Sequence, residues 1–186
     1  MKKNKAIRRF TIATVLIVQT VFLLLIAKNN YDSNNFFSIV AILLISVIVL
    51  LGHGHLDLHH SKHDYEKLSV VIWVPIGAIA CHLLNVKYEL GSVLSAGIIG
   101  TLGSFIPKLN KQSDYYKELP TAIYCGVFVG MSSNTITPTL GFVIAAGIIA
   151  GLFFLLSKNL FIGIGGKLGT MAFLGVFIVY LLNLIA

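Results

Sequence analysis

The sequence predicts an all-α polytopic membrane protein of about seven transmembrane helices with its N-terminus on the cytoplasmic side, and three observations carry that prediction. Apolar residues fill 56% of the 186 positions and charged residues only 11%, against roughly 25% charged in a soluble domain. Apolar runs of about the length of a bilayer span recur between short polar clusters. Lysine and arginine gather in alternate loops, as retention of basic residues on the cytoplasmic side requires. At about 20 residues per helix the chain holds seven or eight spans and no extramembrane domain, so residues 1–186 read as a single integral membrane domain.

The runs fall at 10–27, 36–52, 68–85, 90–106, 119–134, 139–156 and 168–185. Lys2, Lys3, Lys5, Arg8 and Arg9 before the first run have the charge order of a signal peptide. Lys28-Asn29-Asn30 behind it offers no small-residue cleavage site, however, so the run reads as an uncleaved first helix. The run 119–134 is the shortest, and its polar end Ser132-Ser133-Asn134-Thr135 reads as an unwound or interfacial segment. Counting basic residues by alternate loops tests the set. The N-terminal tail, with Lys62, Lys67, Lys108, Lys111, Lys117, Lys158 and Lys167, holds 12 of the 14, and the opposite side holds only Lys28 and Lys87.

The sequence also matches itself. Leu90 to Lys108 lies over Leu140 to Lys158 at an offset of 50 with nine of 19 positions identical, and Leu119 to Val129 lies over Leu168 to Ile178 at an offset of 49 with five of 11 identical. Tyr65-Glu66-Lys67-Leu68 echoes Tyr116-Lys117-Glu118-Leu119. The expected organisation is a leading helix, 10–27, and tandem two-helix repeats at 36–85, 90–134 and 139–185. Units of two spans insert in one direction, giving direct repeats about an axis along the membrane normal. Gly97, Gly100 and Gly103, the pair Gly126 and Gly130, and the pair Gly147 and Gly151 predict close helix packing.

Residues that can carry chemistry are few. His53, His55, His59, His60 and His63 crowd one cytoplasmic loop with Asp57, Asp64 and Glu66, a ligand set suited to a transition metal ion. In a helix, His55, His59 and His63 stand on one face. The same imidazoles can instead form a pH-sensitive patch or a plain polar loop. The stretch HLDLHH, His55 to His60, resembles one histidine box of the membrane di-iron desaturases and hydroxylases, families that need several boxes where this chain has one.

His82 is the one strongly titratable side chain within a run, a candidate pathway or relay group or a helix-end histidine reaching the interface. Gly163, Gly165, Gly166 and Lys167 form a glycine-rich turn that can receive an anion or lipid headgroup, or simply a flexible turn with a topology-setting lysine. Its GGK is similar to the GGKG segment of bacterial glycerol-3-phosphate acyltransferases, whose SGNPG-type phosphate loop is absent. Ser92, Ser95, Thr101, Ser104, Thr121 and Thr170 can line a polar route or bond back to their own helices. Cys81 and Cys125 read as small core residues.

Mid-run positions lack Asp, Glu, Lys and Arg, which disfavours a coupled transporter with an intramembrane carboxylate. The expected function is a small transporter or channel-like protein for a small solute or metal cation, multi-pass in a prokaryotic cell membrane. The rivals are an enzyme acting on lipid at the cytoplasmic face and a non-catalytic subunit or assembly factor. The expected partners are the lipid bilayer and either further copies or other membrane subunits, and not nucleic acid. A transition metal is the one cofactor the histidines suggest.

Overall fold

The computed structural model describes residues 2–32, 36–55, 65–158 and 166–185. All regular structure among them is helical, in seven helices. Three are long and apolar enough to cross a membrane, over Arg9–Tyr31, Leu68–Lys87 and Lys167–Ile185. The chain divides into two compact units, Met1–His63 and Asp64–Ala186.

The first unit pairs α1 (Lys2–Asp32) with α2 (Phe36–His55). Thr14, Thr20 and Ser46 each donate a hydroxyl to the carbonyl four residues back, at 2.9, 2.7 and 2.7 Å, and the Asn30 amide does the same at 2.9 Å. Hydroxyls satisfied within their own helix leave its surface effectively apolar. Between the two helices lies a cavity of about 210 Å³ walled chiefly by Leu16, Leu23, Leu24, Ile42 and Leu43.

The second unit holds five helices. α3 (Leu68–Lys87) is α-helical over Leu68–Val71 and Trp73–His82 and ends in a π-helical turn, Leu83–Lys87. α4 (Ser92–Phe105) runs into a short 3-10 turn, α5 spans Asp114–Gly130, α6 spans Leu140–Leu156, and α7 spans Lys167–Ile185. α3 and α5 make the most extensive pairing, followed by α6 with α7 and α3 with α6.

Glycine explains the α3–α5 pairing. A Cβ on Gly77 would stand 2.6 Å from the Ile123 carbonyl oxygen, and one on Gly126 would drive into the Val74 carbonyl oxygen. The two contacts are reciprocal. Adding 49 to 74 and 77 gives 123 and 126, so each helix offers its glycine to the equivalent carbonyl of the other. Further along, Gly130 meets Ala78 and the His82 nitrogen. Contacts that advance together along both chains make α3 and α5 a parallel pair. α6 passes antiparallel, with Gly147 on Pro75 and Gly151 on Val71. Gly100 receives the Tyr124 ring and Gly103 the Ile123 side chain, whereas Gly97 faces open space.

α5 begins five residues before the run expected at 119–134, because Asp114 to Glu118 form helical turns despite their charge, and Pro120 sits inside the helix. It ends at Gly130, and the polar residues beyond it form turns, with the Ser133 and Thr135 hydroxyls 2.6 Å apart. The Thr139 hydroxyl accepts the Phe142 N–H at 3.2 Å and caps α6.

Candidate functional site

Three connections of the five-helix unit meet at one end. Segment 65–67 precedes α3, residues 114–118 open α5, and Ser157 and Lys158 close α6. The Glu66 N–H donates to the Leu155 carbonyl at 3.1 Å, which fastens the first segment beside the third. Lys158 then bridges all three, its ammonium donating to Glu66 Oε1 at 3.0 Å and to Glu118 Oε1 at 2.9 Å. Glu66 is 8% exposed, while Lys158 and Glu118 are each 29% exposed.

The charges shape one another. The bond to Glu118 raises the proton affinity of Lys158 above its ordinary value; burial opposes this, and the bond to Glu66 and both negative charges add to it. Burial pushes the Glu118 carboxyl up, but the hydrogen bond from Lys158, with the positive charges of Lys158 and Lys67, outweighs it and holds the group below its ordinary value. Glu118 Oε2 is enclosed and has no hydrogen-bond partner. Enclosing a carboxylate oxygen without a donor is costly, so the cluster is not saturated by its own members.

Lys167, the first residue of α7, reaches back instead of outward. Its ammonium donates to the Ser157 carbonyl and, at 3.0 Å, to the Lys158 carbonyl. A cation on the last carbonyls of α6 complements that helix's negative end and fixes the backbone that carries Lys158. Gly166 before it takes a φ of +83°, the left-handed conformation glycine permits. Lys167 is thereby turned onto α6, while Gly163 and Gly165 lie outside the described residues.

The histidine loop yields little geometry. His53 and His55 belong to the last turn of α2, and His59, His60 and His63 lie outside the described residues. Among the described residues no group of three His, Cys, Asp or Glu stands together to hold a metal. His82 is 6% exposed, and its Nδ1 has no partner. It sits directly before the π-helical turn, near the opposite end of the unit, where the Asn85 amide donates to the Gly130 and Ser132 carbonyls at 3.3 Å each.

Of the hydroxyls expected along a route, Ser95, Ser104 and Thr170 bond to carbonyls of their own helix region at 2.7, 2.7 and 3.1 Å. Cys81 and Cys125 are free thiols, both fully buried in the core.

In the sequence Glu66, Glu118 and Lys158 do not stand out as one cluster, because a lysine at a loop edge serves equally well to set topology. A signal was present. Glu66 and Glu118 each stand within two residues of the leucine that opens an apolar run, in the two segments that echo one another. Comparison with protein-family models, curated proteins and solved structures finds no match.

Proposed function

We propose that this chain is a seven-span integral membrane protein of a prokaryotic cell membrane, N-terminus cytoplasmic, that moves a small solute or metal cation through its five-helix unit. The observation that carries the reading is the partly buried Glu66–Lys158–Glu118 cluster. A cluster with one buried and two half-buried charges adds little net stability over other side chains. Its use is therefore conformational, at the mouth of a bundle that has to open and close.

Several features support the topology. Alternating spans bring the segments at 65–67, 114–118 and 157–158 to one side, and those segments are joined by hydrogen bonds. This is also the side to which the lysine and arginine distribution assigns the cytoplasm. The reciprocal contact of Gly77 and Gly126 at an offset of 49 favours direct repeats that include the first hairpin.

One observation favours the rival reading as a subunit of a membrane complex. Gly97 of α4 faces open space beside the exposed Val93 and Leu94, a surface on which a further helix can approach closely.

Purified protein in liposomes tests the transport reading. Flux of at least one monovalent cation, transition metal or small metabolite is expected above the level of empty vesicles. If the solute is a metal, replacing His55, His59 and His63 by Ala lowers the flux. Vesicles that stay silent across the panel, with a stably co-purifying membrane partner, would establish the subunit reading instead.

A further inference from the structure

We propose that Lys158 is the movable pin of a charge clasp that closes one end of the five-helix unit over the Cys125 thiol, and that its release opens this end while the other stays packed. The clasp deepens the transport reading, in which this end is the cytoplasmic mouth, and regulates that same site.

One ammonium holds two carboxylates that come from different parts of the chain, Glu66 ahead of α3 and Glu118 in α5. Lys158 lies beyond the end of α6, after Ser157, so its side chain can swing without unwinding a helix. Lys167, on which the Glu66 charge also acts, is engaged elsewhere. Its ammonium is already bound to the Ser157 and Lys158 carbonyls, which makes it a positioning residue for the pin. The enclosed, unpartnered Glu118 Oε2 shows that the closed arrangement leaves an acceptor unused.

Seven residues inward from Glu118, roughly 10 Å along the helix, Cys125 is fully buried. Its Sγ lies 3.8 Å from the Leu168 carbonyl, next to Lys167. Lys167 ties the start of α7 to the Ser157 and Lys158 carbonyls, so α7 follows the end of α6, and parting α5 from that pair breaks the Cys125–Leu168 contact and uncovers the thiol. Cys81 is buried equally well but packs with Ile123, Val127 and Met131. It lies toward the end held by the neutral Asn85 bonds, which removal of a charge does not touch.

The charged groups around the clasp set its trigger. Lys67 and Lys158 act on Glu118, Glu66 and Glu118 act on Lys158, Glu66 also acts on Lys167, and Asp114 is paired with Lys117 at 3.0 Å on the outside. With Glu118 held ionised and Lys158 held protonated, the clasp stays shut across the physiological pH range. A charged solute or partner competing for Lys158 or the carboxylates opens it, rather than a physiological proton.

The two native thiols report on two different contacts, Cys125 on the seam of α5 with the start of α7 and Cys81 on the seam of α3 with α5. Maleimide labelling of Cys125 in a Cys81→Ser background, and of Cys81 in a Cys125→Ser background, is followed in proteoliposomes of the full chain. Lys158→Met is expected to speed Cys125 labelling by about tenfold, and Glu118→Gln by about threefold, as a local opening does. Cys81 labelling is expected to stay unchanged. Glu118→Gln preserves shape and volume, so it carries the test alone if Lys158→Met does not accumulate. Unchanged Cys125 labelling in the folded variants, or an equal rise at Cys81, overturns the clasp. Flux with unchanged labelling sinks the clasp and spares the transport reading; selective labelling without flux does the reverse.

Discussion

At one end of the five-helix unit Glu66, Glu118 and Lys158 meet through ionised groups, whereas at the other the Asn85 amide reaches the Gly130 and Ser132 carbonyls through neutral hydrogen bonds. Both arrangements hold α5 to its neighbours. They differ in what can undo them. Neutral amide bonds respond weakly to salt, pH and competing ions, while an ion cluster responds to all three. The same bundle therefore carries a fixed end and a responsive one, with the glycine contacts of α3 and α5 between them.

The largest effect is expected where both ends depend on one contact. Gly126→Ala pushes a methyl group into the Val74 carbonyl and the Ala78 nitrogen, an overpacking that costs about 3 kcal/mol. Its signature in detergent denaturation is loss of protection at both ends together. Retention of wild-type stability would show that the α3–α5 pair can separate freely, and the contrast between the ends would lose its basis.

A smaller effect, confined to the charged end, follows from pH. Glu118 is depressed below its ordinary value of 4.5, so its contribution is complete above that value and fades as pH falls through the lower folded-state value. Lys158 is raised above 10.5, so its contribution is complete below that value and fades as pH rises through the higher one. The stability difference between wild type and Glu118→Gln should therefore be constant near neutrality and shrink in acid below 4.5. Thermal melts of the two proteins between about pH 7 and pH 3 measure it. A difference that persists unchanged in acid would mean that the Glu118 charge does not hold this end.

The smallest effect belongs to the neutral end. Asn85→Ala removes two bonds of 3.3 Å and should cost about 1 kcal/mol. Hydrogen exchange should quicken over 83–87 and 130–132, with no dependence on salt. A salt-dependent loss there would remove the distinction between the two ends.

Much of the helix pattern was legible in advance. The runs expected at 90–106, 139–156 and 168–185 agree within two residues with α4, α6 and α7, because their limits are set by Gly91, the capping Thr139 and the Gly166 turn. α5 was displaced because hydropathy excludes Asp114, Lys117 and Glu118 from a span, while helical hydrogen bonding does not. His82, close to the helix end in the sequence, is 6% exposed, a burial that hydropathy alone does not convey.

By itself the sequence determined that these segments are helical and apolar and in which alternate connections the lysines lie, since hydropathy, caps and charge are local properties of the chain. Only the tertiary structure decided that Glu66, Glu118 and Lys158, up to 92 residues apart, share one cluster, and that Gly77 and Gly126 exchange equivalent contacts. The physical reason is that a side chain's partner depends on how helices cross. Those crossings are fixed by where glycine lets two backbones touch, and no local pattern in either helix records the other's position.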